Sequence, residues 1–306
     1  MIVSFDMYKP TIFKPYFEAC GLAHTSQYKS LQIMHSYIWM FNRIPIVRHL
    51  PLDFVYINPD CPPEDDKIIV FDTHSNFHYI NWLCEKHPDK RIILWFWNPM
   101  TGRELFSILD ERVEVWSYSE RDAREHGFRS NTQFYFDCLA SEAAETALPD
   151  PDQPPKALFV GRDKGREDAL MLLKEQLEEA GIVADYRFIR QISKQRTSSH
   201  REQLVPYREI VDAVKGSQYI VDFYANTTAG LSLRAMEALF FGKKLITNRS
   251  LMREEDFYDS RNVYILGEEK RLLKEFAEEP YVAPDPAIRD RYLLSNWLKR
   301  FDEQAL

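Results

Sequence analysis

The sequence predicts an α/β protein made of two domains, each with a parallel sheet and crossover helices. Short apolar runs alternate with helical patterns along the chain, which is typical of strands buried on both faces. A segment with four prolines in ten residues, 147–156, interrupts this alternation near the middle of the chain. The 306 residues, 45% of them hydrophobic, are enough for two cores of about 150 residues each.

The first half contains short apolar runs that are continuous rather than alternating, as expected of central parallel strands. The predicted strands are MIVSF (1–5), KIIVFDT (67–73), RIILWFWNP (91–99) and VEVWSY (113–118). The predicted helices are NFHYINWLCEKHP (76–88) and SERDAREHGF (119–128). This alternation favours βαβ units.

The same pattern restarts after the linker. The predicted strands are KALFVG (156–161), ADYRFI (184–189), QYIVDFY (218–224) and KKLITN (243–248). The predicted helices are REDALMLLKEQLEEAG (166–181), YREIVDAVKGS (207–217), LRAMEALF (233–240) and a last one, DPAIRDRYLLSNWLKRF (285–301). The first of these has an apolar stripe and a glycine, Gly181, placed for a C-cap. The last carries Tyr292, Trp297 and Phe301, which need a surface to bury them.

Composition excludes several classes of protein. There is no run of 18 apolar residues, and the first ten residues lack the features of a signal peptide, so we expect a cytoplasmic protein. The four cysteines have no C-x-x-C spacing, which argues against zinc and fits a reducing compartment. A net charge of −8 argues against nucleic acid as the main partner.

Two strand ends in the second half carry residues suited to an anion. Gly161 ends a strand, and Arg162, Lys164 and Arg166 precede the next helix, where they oppose the helix dipole. A bound anion would remove that conflict, and in open parallel sheets ligands bind at the carboxyl ends of the strands. A solvated loop with surface cations is the alternative interpretation.

The second such end is the start of helix 233–240. Gly230 allows close backbone approach, and we expect free amides at Leu231 and Ser232. Arg234 and Glu237 are three residues apart and are expected to share one face of a helix that is otherwise apolar. Buried charges need a partner or a purpose, although an exposed ion pair remains the alternative.

The second half resembles the donor-binding half of GT-B glycosyltransferases, close to bacterial enzymes of lipopolysaccharide and exopolysaccharide synthesis. The segments that carry the resemblance are FVGRDKGR (159–166), PYREIVDAVKGSQYIVDFY (206–224), GLSLRAMEALFFGKKLITN (230–248), VWSYSERDAREHGF (115–128), NVYILGE (262–268) and RYLLSNWLKRF (291–301). The resemblance covers most of the chain and is loose for residues 1–66.

This resemblance implies a GT-B architecture, with two Rossmann-like domains facing a cleft. It implies an acceptor-binding domain at 1–150, a nucleotide-sugar-binding domain at 151–285, and a C-terminal helix at 286–306 that returns to the first domain. Glu237 takes the place of the glutamate that binds the ribose hydroxyls. The other donor-binding positions that it implies are Arg162, Lys164, Tyr207, Thr228, Gly230, Leu231, Ser232 and Arg234. No metal or other cofactor is expected.

The sequence gives fewer indications of the stereochemistry and the catalytic base of the implied transfer. Many retaining GT-B enzymes have two glutamates separated by seven residues, and the place of the earlier one is occupied here by Ala229, so inversion is slightly favoured. An inverting enzyme needs a base on the acceptor side. Asp72, His74 and Asp6 follow predicted strands of the first domain and are the candidates, Asp72 first. Each is also a residue type that caps loops.

The partners implied are a nucleotide sugar and a glycan or lipid-linked glycan of the bacterial surface. The segment 28–50 combines an apolar stripe with basic residues and suits peripheral contact with the inner face of the cytoplasmic membrane, although core packing is the favoured interpretation. Two other classes stay open: a nucleotide-sugar epimerase of GT-B-like fold, and a non-catalytic α/β protein that binds nucleotides.

Overall fold

A computed structural model of the chain divides into two compact units, Met1–Thr132 and Gln133–Leu306. The structure describes residues 2–3, 12–29, 33, 52–72, 77–98, 100, 109–146, 153–189, 191–192, 201–202, 205–225, 227 and 230–303. Each unit contains its own parallel sheet, so the predicted α/β class is confirmed, and the pair is consistent with the two Rossmann-like domains of a GT-B fold. The second unit starts at Gln133, before the proline-rich linker rather than after it.

The sheet of the first unit is parallel throughout its described strands. These are β1 (Ile2–Val3), β2 (His24–Thr25), β3 (Lys67–Phe71), β4 (Arg91–Phe96), β5 (Glu114–Ser117) and β6 (Arg129–Ser130). Their order is β2-β1-β3-β4-β5-β6. The chain runs from β1 to one side and then returns to the other, so the order reverses between β1 and β3. The described helices are α1 (Lys14–Ala19), α2 (Phe77–Lys86) and α3 (Glu120–His126).

Strands β3 and β4 form the centre of this sheet, as their apolar runs predict. Residues 68–71 and 92–96 are all buried. Since both faces are covered, every side chain in these runs has to be apolar. The core beside them is rich in rings: Tyr56 lies 5.1 Å from Tyr79 and 5.5 Å from Trp82, measured between ring centroids.

The main sheet of the second unit is parallel as well. Its strands are β7 (Lys156–Gly161), β8 (Val183–Phe188), β11 (Tyr219–Asp222), β12 (Lys244–Thr247) and β13 (Val263–Ile265), in the order β13-β12-β11-β7-β8. A short antiparallel pair, β9 (Gln191–Ile192) and β10 (Arg201–Glu202), follows β8. The strand order reverses between β7 and β11, which is the position where open α/β sheets bind ligands.

The helices of this unit include the three predicted within 166–181, 207–217 and 233–240. They are α4 (Asp137–Ala144), α5 (Glu167–Glu179), α6 (Tyr207–Lys215), α7 (Leu233–Phe240), α8 (Leu273–Glu278), α9 (Pro286–Arg291) and α10 (Leu294–Glu303). On α5 the stripe of Leu170, Leu173 and Leu177 is buried. Gly181 follows that helix with a φ of 76°, the left-handed conformation that favours glycine at a helix end.

The prediction of one long last helix is wrong, because the segment is broken between α9 and α10. Tyr135 and Leu293 form a parallel bridge there. The amide of Tyr135 donates to the carbonyl of Tyr292 at 2.7 Å, and the amide of Leu294 donates to the carbonyl of Tyr135 at 2.8 Å. The backbone at this point therefore pairs with a distant segment instead of continuing the helix. The prediction that Tyr292, Trp297 and Phe301 are buried is confirmed.

Segment 133–144 belongs to the second unit through both apolar and charged contacts. The ring of Phe134 lies 4.7 Å from that of Trp297 on α10. On α4, the Glu142 carboxylate pairs with Arg208 at 2.7 Å and with Lys215, both on α6. These contacts attach a segment that sequence analysis places in the first domain to the unit formed by the second half of the chain.

The two lysines at the start of β12, Lys243 and Lys244, are buried for a structural reason. Lys243 donates its Nζ to the carbonyl of Lys215 at the end of α6, 3.0 Å away, and Lys244 donates to the carbonyl of Phe276 on α8. Each ammonium therefore lies at the negative end of a helix, where a cation is favourable. In the described part of the chain, no helix combines the length and apolar character needed to cross a membrane.

Candidate functional site

The site is built where β7 and β11 end side by side. Gly161 is the last residue of β7, and Asp222 is the last residue of β11. Helix α7 begins close by, because the hydroxyl of Ser232 accepts from the amides of Arg234 and Ala235 and forms its N-cap. The carboxyl edge of the sheet and the positive end of a helix therefore meet at the reversal of strand order.

Two arginines converge on Gly161. A Cβ added to this glycine would lie 2.6 Å from Nη2 of Arg234 and 3.3 Å from Nη2 of Arg166. Both guanidinium groups lie over the ring of Phe159, with Cζ 5.5 Å and 5.1 Å from the ring centroid. Glycine is therefore required here by space, since a side chain would displace two cations that share one aromatic support.

Arg234 is anchored to the sheet rather than to Glu237. Its Nε donates to the carbonyl of Val160 at 2.8 Å, and its Nη1 pairs with Asp222 at 3.2 Å. The alternative interpretation, an exposed ion pair between Arg234 and Glu237, is therefore wrong, since Arg234 pairs with Asp222 and Glu237 is buried. The arginine extends back over the strand ends, where a fully buried carboxylate requires a cation.

Asp222 also organises the helix start. Its Oδ2 accepts from the hydroxyl of Ser232 at 2.6 Å, while that hydroxyl caps α7. The amide of Ser232 donates to the hydroxyl of Tyr224 at 2.9 Å, so the expectation of a free amide at Ser232 is wrong. Of the two predicted amides, that of Leu231 is the remaining candidate to meet a ligand. The Leu231 carbonyl accepts from the side chain of Gln133 at 3.0 Å.

The loop after β7 concentrates positive charge. Asp163 shapes it by accepting from the amides of Gly165 at 3.2 Å and Arg166 at 3.0 Å. Lys164 adopts a φ of 52°, which is uncommon for a residue with a side chain. Loss of hydration and repulsion from Arg166, Arg162 and Arg234 lower the pKa of the Lys164 ammonium.

Arg166 is the most enclosed cation of this loop. It donates from Nη1 to the carbonyl of Phe223 and from Nη2 to the carbonyl of Arg162 at 2.8 Å. Its Nε is buried and has no hydrogen-bond partner among the described residues. Burial and the nearby Arg234 lower its pKa. The buried guanidinium thus connects the backbone that follows β7 to the backbone that follows β11.

Glu237 lies one turn into α7 and is buried with 3% of its surface exposed. Its Oε1 accepts from the hydroxyl of Tyr207 on α6 at 2.8 Å. Burial raises the pKa of Glu237 to about 7, against the opposing effects of the Tyr207 hydrogen bond and of the Arg234 charge. Burial and the Glu237 carboxylate together raise the pKa of Tyr207 well above its usual range. No described residue donates to Oε2 of Glu237.

In the first unit, Asp72 follows β3 at the reversal of strand order between β1 and β3. Its Oδ2 accepts from the amide of Asn98 at 3.3 Å, and its Oδ1 accepts from the side-chain amide of Asn98 at 3.2 Å. Burial raises the pKa of Asp72 to about 6. The carboxylate therefore caps the loop after β4, yet its pKa lies close to the range of a general base.

Several predicted residues lie together, and others lie outside the described residues. Arg162, Lys164, Ser232, Arg234 and the loop glycine Gly230 belong to elements that meet at the β7–β11 edge. Asp6, His74 and Thr228 are among the residues that the structure does not describe, as is most of segment 28–50. Within the described ranges, no group of three or more His, Cys, Asp or Glu side chains could hold a metal ion.

The most important residue that sequence analysis missed is Asp222. It stands at the end of an apolar run, QYIVDFY, just as Asp72 stands at the end of KIIVFDT. The same signal that selected Asp72 was therefore present for Asp222. A carboxylate beside the predicted anion site was unexpected, because its negative charge is opposite to the positive charge of the other residues there.

Comparisons with known proteins give little support of their own. No protein-family model matches the chain, and no curated protein matches it. Among solved structures, the chain is similar to the DNA-modifying enzyme β-glucosyltransferase, studied in the presence and absence of its substrate uridine diphosphoglucose. The identity is 9%, the match covers 99% of this chain and 94% of that chain, and the TM-score is 0.41. A likeness at this level does not assign chemistry to the chain.

Proposed function

We propose that this protein is a glycosyltransferase that uses a nucleotide sugar, and that the β7–β11 edge binds the diphosphate of the donor. The convergence of four cations on one strand end carries this proposal. Among the described residues, an excess of positive charge surrounds this strand end: repulsion from Arg166, Arg162 and Arg234 helps to lower the pKa of Lys164, whereas the carboxylates that act on Arg166 are those of Asp222 and Asp163. Such an excess is unfavourable without an anion, and a diphosphate would offset it.

The polarity of the helix start supports the same ligand. A diphosphate prefers backbone amides, a helix N-terminus and cations in combination, and the Leu231 amide with the start of α7 provides the first two. Glu237 lies one turn further along α7, where its Oε2 is left to accept from a donor hydroxyl. A carboxylate suits the two adjacent hydroxyls of a ribose.

Tyr207 acts in this proposal by orienting Glu237. The hydrogen bond to Oε1 holds the carboxylate in one rotamer, so the loss of side-chain entropy occurs on folding rather than on binding. Thr228 and Gly230, in the glycine turn before the helix, are proposed to contact the diphosphate, as the resemblance to GT-B enzymes implies.

The proposed chemistry is an inverting displacement. An acceptor hydroxyl attacks the anomeric carbon of the donor sugar, its proton passes to a base, and the nucleoside diphosphate leaves with the bonding electrons. Asp72 is the first choice for the base, because a pKa of about 6 allows it to be ionised at neutral pH and still accept a proton. His74 and Asp6 are the reserve candidates. The acceptor proposed from the sequence resemblance is a glycan of the bacterial surface.

A nucleotide-binding protein without catalysis is the second candidate. It is favoured by one observation: both oxygens of Asp72 already accept hydrogen bonds from Asn98, as in a loop cap. Donor hydrolysis separates the two functions, since many transferases slowly transfer the sugar to water.

A thermal-shift panel of nucleoside diphosphates and monophosphates tests the donor site. At a ligand concentration one hundred times Kd, the free energy of unfolding should rise by roughly 2.7 kcal/mol. The double variant Arg162→Ala/Lys164→Ala should bind roughly tenfold more weakly or worse, because charge-assisted hydrogen bonds are lost.

Arg261→Ala is the matched control. Arg261 precedes β13, so it lies toward the amino edge of the same sheet, and its ion-pair partner among the described residues is the half-buried Asp259. Its removal should leave nucleotide binding unchanged. If no nucleotide stabilises the protein, the donor site is refuted. If the double variant binds nucleotide as tightly as the wild type, the donor site lies elsewhere.

A further inference from the structure

The carboxyl edge of the first sheet carries an aromatic pair that sequence analysis does not single out. Trp97 follows β4 directly, and Phe13 precedes α1. Their ring centroids are 5.5 Å apart with an interplanar angle of 53°. Both side chains are half-buried, so part of each ring faces away from the core.

Buried rings hold this pair from behind. Trp97 packs edge-on against Phe71, with centroids 5.3 Å apart, and Phe71 packs against Phe17 at 5.9 Å. Phe71 and Phe17 are both buried. An aromatic surface fixed in this way binds a flat partner at a low entropic cost, because few rotamers remain to be lost.

Polar groups lie directly beside the rings. The backbone of Trp97 donates to the Asp72 carboxylate and keeps its pKa from rising further. The next residue, Asn98, is exposed and donates its side-chain amide to Asp72 at 3.2 Å. The amide oxygen of Asn98 is thereby left as an acceptor. An aromatic surface, a carboxylate and an amide therefore occur together at the ends of two neighbouring strands, β3 and β4.

This combination matches the chemistry of a pyranose. A sugar ring has a face of C–H groups that packs on aromatic rings and a rim of hydroxyls that needs carboxylate and amide partners. We propose that Phe13 and Trp97 form a stacking platform for a pyranose of the acceptor, with Asn98 and Asp72 binding its hydroxyls. The inference rests on the proposed function, because it gives the place at which a sugar of the proposed acceptor binds.

The platform also fits the role of Asp72 as a base. A pyranose stacked on Trp97 has its hydroxyl rim beside the residue that follows β3, since β3 and β4 are paired from Lys67–Arg91 to Phe71–Trp95. The hydroxyl that loses its proton would thus be held by stacking, while Asp72 accepts the proton. Trp97 and Phe13 contribute binding, and Asp72 contributes chemistry.

The test uses the full chain labelled with 5-fluorotryptophan and observed by fluorine NMR. The Trp97 resonance is assigned from its loss in Trp97→Phe. The probes are the methyl glycosides of glucose, galactose, mannose and N-acetylglucosamine, with lactose and cellobiose. At least one should shift the Trp97 resonance in a saturable manner. Phe13→Ala and Phe13→Leu should each weaken that binding by roughly three- to tenfold, the usual worth of an aromatic contact.

Phe54→Ala is the matched control. Phe54 is the most exposed aromatic among the described residues, at 75%. Its neighbour Asp53 pairs with Lys86 at the end of α2, which runs back toward the amino edge of the sheet. This variant should bind the saccharide like the wild type. The resonances of the other tryptophans report whether each variant is folded.

The experiment distinguishes failure of the stacking platform from failure of the proposed donor site. If no saccharide moves the Trp97 resonance, or if both Phe13 variants bind like the wild type, the platform is refuted. A shift caused by uridine or adenosine instead of saccharides would also overturn it. Nucleoside diphosphates are added to the same samples: stabilisation without saccharide binding removes only the platform, and saccharide binding without nucleotide stabilisation removes only the transferase.

Discussion

Gly161→Ala should damage the candidate donor site. The new Cβ would lie 2.6 Å from Nη2 of Arg234, far inside van der Waals contact, and 3.3 Å from Nη2 of Arg166. The Arg234 guanidinium would have to move. Its hydrogen bond to the Val160 carbonyl and its pairing with the buried Asp222 would then be lost or lengthened.

The size of the effect follows from these two contacts. A hydrogen bond to a charged group contributes about 1.5–3 kcal/mol, and an overpacked site in a protein interior costs about 1–3 kcal/mol. Because the flexible arginine can relax in part, we expect the free energy of unfolding to fall by about 1–3 kcal/mol. Nucleotide affinity should fall as well, since the cation cluster is displaced.

Urea denaturation monitored by circular dichroism measures the stability, and calorimetric titration with a nucleoside diphosphate measures the affinity. Gly216→Ala serves as the control: a Cβ there would meet only the carbonyls of Ala213 and Asp212, both 3.8 Å away, and its φ of −77° suits alanine. A Gly161→Ala protein as stable as the wild type, with unchanged affinity, would refute the close approach of the arginines.

Three further predictions concern single side chains. Glu237→Gln should lessen the loss of stability that the wild type shows as the pH rises. The pKa of Glu237 is about 7 in the folded protein and 4.5 ordinarily, so between these pH values the native state holds a proton that the unfolded state has lost. Across that pH range the free energy of unfolding of the wild type should therefore fall by roughly 3 kcal/mol. A pH series of urea midpoints checks this, and parallel curves for the two proteins would contradict it. Asp72→Asn should lower kcat by about 10²–10⁴ with little change in nucleotide affinity, measured by sugar transfer to an acceptor identified from the saccharide panel; a near-wild-type rate would eliminate Asp72 as the base. Ser232→Ala should cost about 1–2 kcal/mol in urea denaturation, because it removes both the cap of α7 and a hydrogen bond to Asp222; Ser141→Ala, which removes only a bond to the backbone of its own helix, should cost less.

The central strands of both sheets were predictable because nearly every side chain in them is buried. KIIVFDT and RIILWFWNP correspond to β3 (Lys67–Phe71) and β4 (Arg91–Phe96). The amphipathic α5 was predictable for the same reason, since its burial has the period of a helix.

The break in the last helix could not be predicted from local sequence. Tyr292 and Leu293 are compatible with a helix, and no glycine or proline stands there. The break results from pairing with Tyr135, a partner far away along the chain. Local propensity is a weak determinant where such tertiary contacts exist.

At the candidate donor site, the sequence indicated that the charge is positive and where the site lies, but it did not indicate which side chains pair with each other. The basic loop after β7 and the start of α7 were predictable, since both follow strand ends. The choice of Arg234 between Glu237 and Asp222 depends on side-chain direction, which spacing alone does not determine. The carboxyl on the neighbouring strand lies within reach, and the one on the same helix points toward Tyr207.

The attachment of the last helix to the first residues of its unit has a consequence for how the chain folds during synthesis. The hydroxyl of Ser295 donates to Asp137 across 158 positions of sequence, and Trp297 covers Phe134. Until the ribosome has released the final helix, the ring of Phe134 lacks the Trp297 ring that packs on it in the folded protein. Completion of the second unit is therefore a late, long-range event, and chains that stop short of Trp297 should expose an apolar surface that chaperones and proteases recognise.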